Sequence, residues 1–128
     1  MQERHLFEYA VIRVVPRVER EEFLNIGIVL FCTKQKFLQM KYVLNEARLK
    51  AFSAQIDIEE LKEHLNSFER ICAGDKNGGQ IAQLDIASRF RWLTATRSTI
   101  LQTSKVHPGL CKADAIETLD RLFDELVA

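Results

Sequence analysis

Phe23-Leu-Asn-Ile-Gly-Ile-Val-Leu-Phe-Cys32 decides the fold. From Ile26 to Cys32 it is apolar at every position, with one glycine among β-branched and aromatic side chains. A strand with one wet face would alternate apolar and polar residues. A short unbroken run of this kind reads as a strand covered on both faces. Ile26–Cys32 is therefore expected at the centre of one sheet.

Both neighbours of that stretch also read as strands. Phe7–Val15 is rich in β-branched and aromatic residues, and Pro16 ends it. Its even face carries Glu8, Ala10, Ile12 and Val14. Its odd face carries Phe7, Tyr9, Val11, Arg13 and Val15, so a buried Arg13 would need a partner. Downstream, the polar link Thr33–Lys36 turns the chain back along Phe37–Leu44, where Leu38, Met40, Tyr42 and Leu44 alternate with Phe37, Gln39, Lys41 and Val43. Short links between three consecutive strands predict an antiparallel meander with Ile26–Cys32 in the middle. Arg17–Glu22, between the first two, is nearly all charged and reads as a solvated loop.

The period then changes. Asn45 suits the cap of a short helix carrying Ala47, Leu49 and Phe52. Asp57 with Glu60 makes a capping box for a longer one, with Ile58, Leu61, Leu65, Phe68 and Cys72 on one face, His64 at its boundary and Gly74 at its end. Asp75–Gln80 is a flexible turn. Its two glycines follow no strand and precede no Lys-Ser/Thr pair, so a phosphate cradle is not indicated. Ile81–Leu93 suits a moderate helix with an unmarked end. Arg97–Thr103 reads as a short edge strand, and His107-Pro-Gly as a break. Asp114 with Glu117 signals a last helix bearing Ile116, Leu119, Leu122, Phe123 and Leu126. The whole is expected to be a single α+β domain over residues 1–128: an antiparallel meander of three to four strands packed against three to four helices.

Composition narrows the class. At 128 residues, 47% hydrophobic and 28% charged, the chain can bury a sizeable core without a metal or disulfide. Eighteen basic residues balance eighteen acidic ones, which disfavours a dedicated nucleic-acid coat or membrane-surface binder. Cys32, Cys72 and Cys111 are widely spaced, and His5, His64 and His107 do not sit at ligand spacing from them, so no metal site and no cofactor is expected. Free thiols fit a reducing cytoplasm, and the opening Met1–His5 leads into no signal-type apolar segment. No apolar run reaches the roughly twenty residues a membrane helix needs.

The chemistry-bearing residues are mainly arginines. Arg89-Phe-Arg-Trp-Leu-Thr-Ala-Thr-Arg-Ser-Thr99 holds three arginines, one tryptophan and four hydroxyl side chains in eleven residues. Arginine forks beside hydroxyls suit phosphate or carboxylate, and Trp92 could stack on a base or anchor a partner. The alternative is that Trp92 and Phe90 are core and the arginines meet carboxylates of the domain itself. Asn25 and Gly27 open the central strand and suit a turn bond and a bulge or close backbone approach. Glu19, Glu21 and Glu22 would bind a divalent cation only with further carboxylates. No catalytic residue can be assigned from spacing, and His107 is more simply part of a turn.

Tyr9-Ala-Val-Ile-Arg-Val-Val-Pro16, the segment Val18–Cys32, Arg89-Phe-Arg-Trp-Leu-Thr-Ala95 with Arg97-Ser-Thr99, and Leu119-Asp-Arg-Leu-Phe-Asp-Glu-Leu126 resemble a bacterial family, domain of unknown function 3037. The resemblance spans nearly the whole chain and brings no established activity. Thr96 departs from it, standing where a proline is expected. Members of that family are often encoded beside a HipA-like protein, a kinase of the toxin–antitoxin type, which implies a small partner or regulatory subunit. Three readings follow. The first is a non-enzymatic cytoplasmic interaction module, contacting its partner through Arg89, Arg91, Arg97 and the Arg17–Glu22 loop. The second is an anion- or nucleic-acid-binding protein with Arg13, Arg17, Arg20, Arg89, Arg91 and Arg97 lining one groove. The third is a hydrolase or nuclease using Glu19, Glu21 or Glu22 with arginines. An exposed edge strand or an uncovered apolar sheet face would allow an oligomer.

Overall fold

A computed structural model describes residues 4–128, so part of the opening Met1–His5 segment lies outside the described residues. It forms an α/β/α sandwich. The sheet contains β1 (His5–Val14), β2 (Leu24–Cys32), β3 (Phe37–Tyr42), β4 (Leu101–Thr103) and β5 (His107–Cys111). The helices are α1 (Glu46–Phe52), α2 (Ile58–Ala73), α3 (Ile86–Leu93) and α4 (Ala115–Leu126). All strand pairs are antiparallel, in the order β3-β2-β1, with β4 and β5 pairing with the two ends of β1's other edge.

The meander is as the sequence implies, and β2 is its middle strand. Because β4 and β5 extend the sheet past β1, β2 is one of two interior strands. Both its faces are covered, which explains its unbroken apolarity. Val29 and Phe31 join Ala10, Ile12 and Val14 beneath α1, α2 and α3. Ile28, Leu30 and Cys32 join Phe7 and Val11 beneath Leu119, Leu122 and Phe123 of α4.

Asn25 and Gly27 flank a bulge. Ile12 pairs with Gly27 but Arg13 with Asn25, which leaves Ile26 unpaired and buried. Gly27 is needed because β3 passes close: a Cβ there would lie 2.6 Å from the Lys41 carbonyl oxygen and 2.7 Å from Tyr42 Cβ.

The helix ends follow the expected local chemistry in most places. The Asn45 side chain accepts from the Arg48 amide, that of Asp57 from the Glu60 amide, and Gly74 closes α2 with φ 69°. The segment Ile81–Leu93 is divided: a 3-10 turn covers Ile81–Gln83, and Asp85 then caps α3 by accepting from Ser88.

Three expectations need correction. His107-Pro-Gly does not break the chain but begins β5, the fifth strand. An edge strand tolerates Pro108, which lacks an N–H, and Gly109 sits opposite Phe7, whose ring fills the space a Cβ would take. The strand expected over Arg97–Thr103 starts only at Leu101, although Val15 still donates to the Ile100 carbonyl at 2.7 Å. The Asp114 side chain makes no capping bond. Gln35, from the β2–β3 turn, instead accepts from the Ala115 amide at 2.7 Å and reaches the Ala113 carbonyl.

Candidate functional site

The arginines singled out by the sequence do not line one groove. Arg89 sits on α3 and points at the C-terminus of α2. Its Nη1 donates to the carbonyls of Ile71 (3.1 Å) and Cys72 (2.9 Å), and its Nε to that of Leu84 (3.0 Å). The last carbonyls of a helix lack intrahelical donors and carry its negative dipole end, so a guanidinium there is a structural clamp. Arg91, nearby on the same helix, reaches Glu8 of β1 at 2.9 Å.

Arg97 follows α3. It donates through Nη2 to the Trp92 carbonyl, and its guanidinium lies 4.7 Å from the Trp92 ring and 4.8 Å from the Phe68 ring. Trp92 in turn meets Phe68 edge-on at 6.1 Å. Burial lowers the Arg97 pKa.

Arg13 occupies the opposite face of the sheet, stacked 3.9 Å over the Phe23 ring, with its Nε buried and unpartnered among the described residues. Burial lowers its pKa also. Asn25, paired with Arg13 across the bulge, donates to the Leu126 carbonyl at 3.3 Å and ties α4 to β2.

Arg17 and Arg20 lie on the exposed 3-10 turn between β1 and β2, beside Glu19 (2.8 Å) and Glu22 respectively. These pairs occupy two of the three glutamates considered for a cation.

The turn forms one wall of a groove. Two adjoining clefts, of 260 and 470 Å³, share Pro16, Arg17 and Ser53. The first holds Phe52 among Arg20 and Glu22. The second runs over Val18, Ile56 and Ile100 to Asp57, Glu60 and Ser98. Phe52 and Val18 are 37% and 43% exposed, so each offers apolar surface within reach of a partner. The rim carries both signs of charge: Arg17 and Arg20 against Glu22, Asp57 and Glu60.

One wall is the charged Arg17–Glu22 loop that stands out in the sequence, and the other is not marked there. The α1–α2 junction carries no motif before the Asp57 cap, and the pattern Ala47, Leu49, Phe52 does not tell which of these side chains faces out. Leu49 is buried and Phe52 is turned outward. Only assembly of the α1–α2 corner beside the β1–β2 turn creates the groove.

A family model described as "Protein of unknown function (DUF3037)" matches residues 9–127. Neither a curated protein nor a solved structure matches the chain.

Proposed function

The chain belongs to the DUF3037 family, and from that premise we propose that it is a non-enzymatic interaction module that binds another protein through the groove between the β1–β2 turn and the α1–α2 junction. The observation that carries this reading is the groove's anatomy. Exposed Phe52 and Val18 lie inside it, and charges of both signs surround them. Apolar anchors within a polar rim are what a protein interface concentrates its energy on, because the rim excludes water from the anchors. The mixed rim suits a partner segment bearing both charges around an apolar side chain.

The HipA-like kinase encoded beside family members is the partner proposed. Its co-purification with this chain at micromolar concentration is the test. The double substitution Val18→Asp and Phe52→Asp places charge on two exposed side chains, so the fold is retained, and capture should fall by more than tenfold. No capture of the kinase by the unaltered chain would overturn the pairing, and equal capture by the variant would overturn the groove.

A further inference from the structure

Between the segment after α3 and the end of β4 lies a smaller pocket of 150 Å³, sharing no lining residue with the groove. Thr94, Thr96 and Arg97 form one side, and Gln102, Thr103, Ser104 and Lys105 the other. Every lining residue is polar, two are cationic and none is acidic.

Arg97 gives the pocket its character. It is half-buried and, among the described residues, faces no carboxylate: its recorded partners are the Trp92 carbonyl and two aromatic faces. Its Nη1 is enclosed by protein and makes no hydrogen bond among the described residues, so the guanidinium charge is not matched within the fold. A guanidinium has five N–H donors, and Arg97 spends one of them on a main-chain carbonyl, so its positive charge stays available to an anion lodged beside it. Lys105, opposite, is exposed and makes no ion pair among the described residues. Its backbone is held in place: Ser104 donates to the Lys105 carbonyl at 2.9 Å while accepting from the Val11 amide at 2.8 Å. Thr94 donates to the Phe90 carbonyl, whereas the hydroxyls of Thr96 and Thr103 make no hydrogen bond among the described residues.

We propose that this pocket binds a phosphoryl dianion, with Arg97 and Lys105 neutralising it and Thr96 and Thr103 donating to its oxygens. A tetrahedral anion presents acceptors in several directions and matches convergent donors from both walls better than a planar carboxylate does. The volume suffices: a water occupies about 30 Å³ of liquid, so the pocket has room for such an anion. The inference is independent of the groove and of any protein partner.

The chain's single tryptophan makes the test direct, because Trp92 lies against Arg97. Sodium phosphate is titrated into the full chain, with chloride at matched ionic strength as control, and Trp92 fluorescence is followed. A saturable change with phosphate alone is expected, together with a phosphate-dependent rise in Tm. Lys105→Gln, on an exposed side chain, should weaken the apparent affinity about tenfold at unchanged Tm in the absence of phosphate, and Thr103→Val should weaken it further. Repeating the titration with O-phosphoserine separates the sources. Tighter binding than inorganic phosphate supports a phosphorylated side chain as the ligand, and weaker binding supports free phosphate. A response equal to that of chloride, or undiminished binding by Lys105→Gln, would overturn the site.

Discussion

Arg89 shows how little a residue's identity says about its use. Its three acceptors are main-chain carbonyls, two of them 17 and 18 residues earlier in the chain, and none is charged. Arg91, two positions on, is exposed and pairs with Glu8 on the surface. Their energetics should differ accordingly. Arg89→Ala strands the carbonyls at the end of α2 and should cost about 2–3 kcal/mol, whereas Arg91→Gln should cost under about 1 kcal/mol. Urea denaturation checks this, as a fall in midpoint with unchanged m-value for the first and a near-native midpoint for the second. The arginine-rich stretch was thus legible as notable, but its roles were not, because the acceptors are backbone atoms brought close only by tertiary structure. Cys72 carries a second residue-scale consequence. Burial pushes its thiol from the ordinary 9.0 up to about 12. The folded state therefore holds a proton that the unfolded chain gives up first. The stability this represents is fully present below pH 9 and is lost as pH rises towards 12, at up to about 1.4 kcal/mol per pH unit. Cys72→Ala should lower stability at neutral pH and flatten the alkaline loss, read as Tm against pH. An unchanged alkaline slope would show that this thiol is not responsible.

Among the elements, those written in local chemistry were readable and those written in distant pairing were not. The apolar run of β2, the Asp57 cap with Glu60 and the αL glycine Gly74 each depend on neighbours a few residues away, and the sequence marks them. β5 depends on β1, about a hundred residues earlier, and its local Pro-Gly signal points to a turn. The same long-range dependence hides the groove, whose walls meet only when the α1–α2 corner packs beside the β1–β2 turn. The requirement at β5 can be tested by contrasting two glycines. At Gly109 a Cβ would meet the Phe7 ring, which is itself buried against α4's core, so Gly109→Ala should cost about 1–3 kcal/mol through forced repacking. At Gly79 a Cβ meets nothing within 4 Å, and the backbone alone resists it: φ 83° with ψ −168° is a region side chains rarely adopt, so Gly79→Ala should also cost about 1–3 kcal/mol, without repacking. Thermal unfolding should show a fall in Tm for both, and an unchanged Tm for Gly109→Ala would mean that Phe7 yields more readily than its burial implies.

Over the whole molecule, the sheet separates two cores that share no side chain. Leu65, Phe68 and Phe90 lie in one, and Leu119, Leu122 and Phe123 in the other. Two opposed cores could melt separately, but the construction of β2 argues against it. Val29 and Phe31 serve one core while Ile28 and Leu30 serve the other, so the strand cannot lose its register on one face and keep it on the other. The helix α4 is also tied to the sheet region along its length: Gln35 at its first amide, Lys41 at Asp120 (3.0 Å) and Asn25 at the Leu126 carbonyl. One cooperative unit is therefore expected over the described residues. Leu119→Ala empties a fully buried site on the α4 side and should cost about 2–5 kcal/mol. Trp92 sits against the other core, on the far side of the sheet. If unfolding is cooperative, its fluorescence transition in Leu119→Ala must shift by the same denaturant increment as the far-ultraviolet circular dichroism transition. A Trp92 transition that stays at its original midpoint while the dichroism shifts would mean that α4 and its core melt alone, and that the alternating faces of β2 do not couple the two layers.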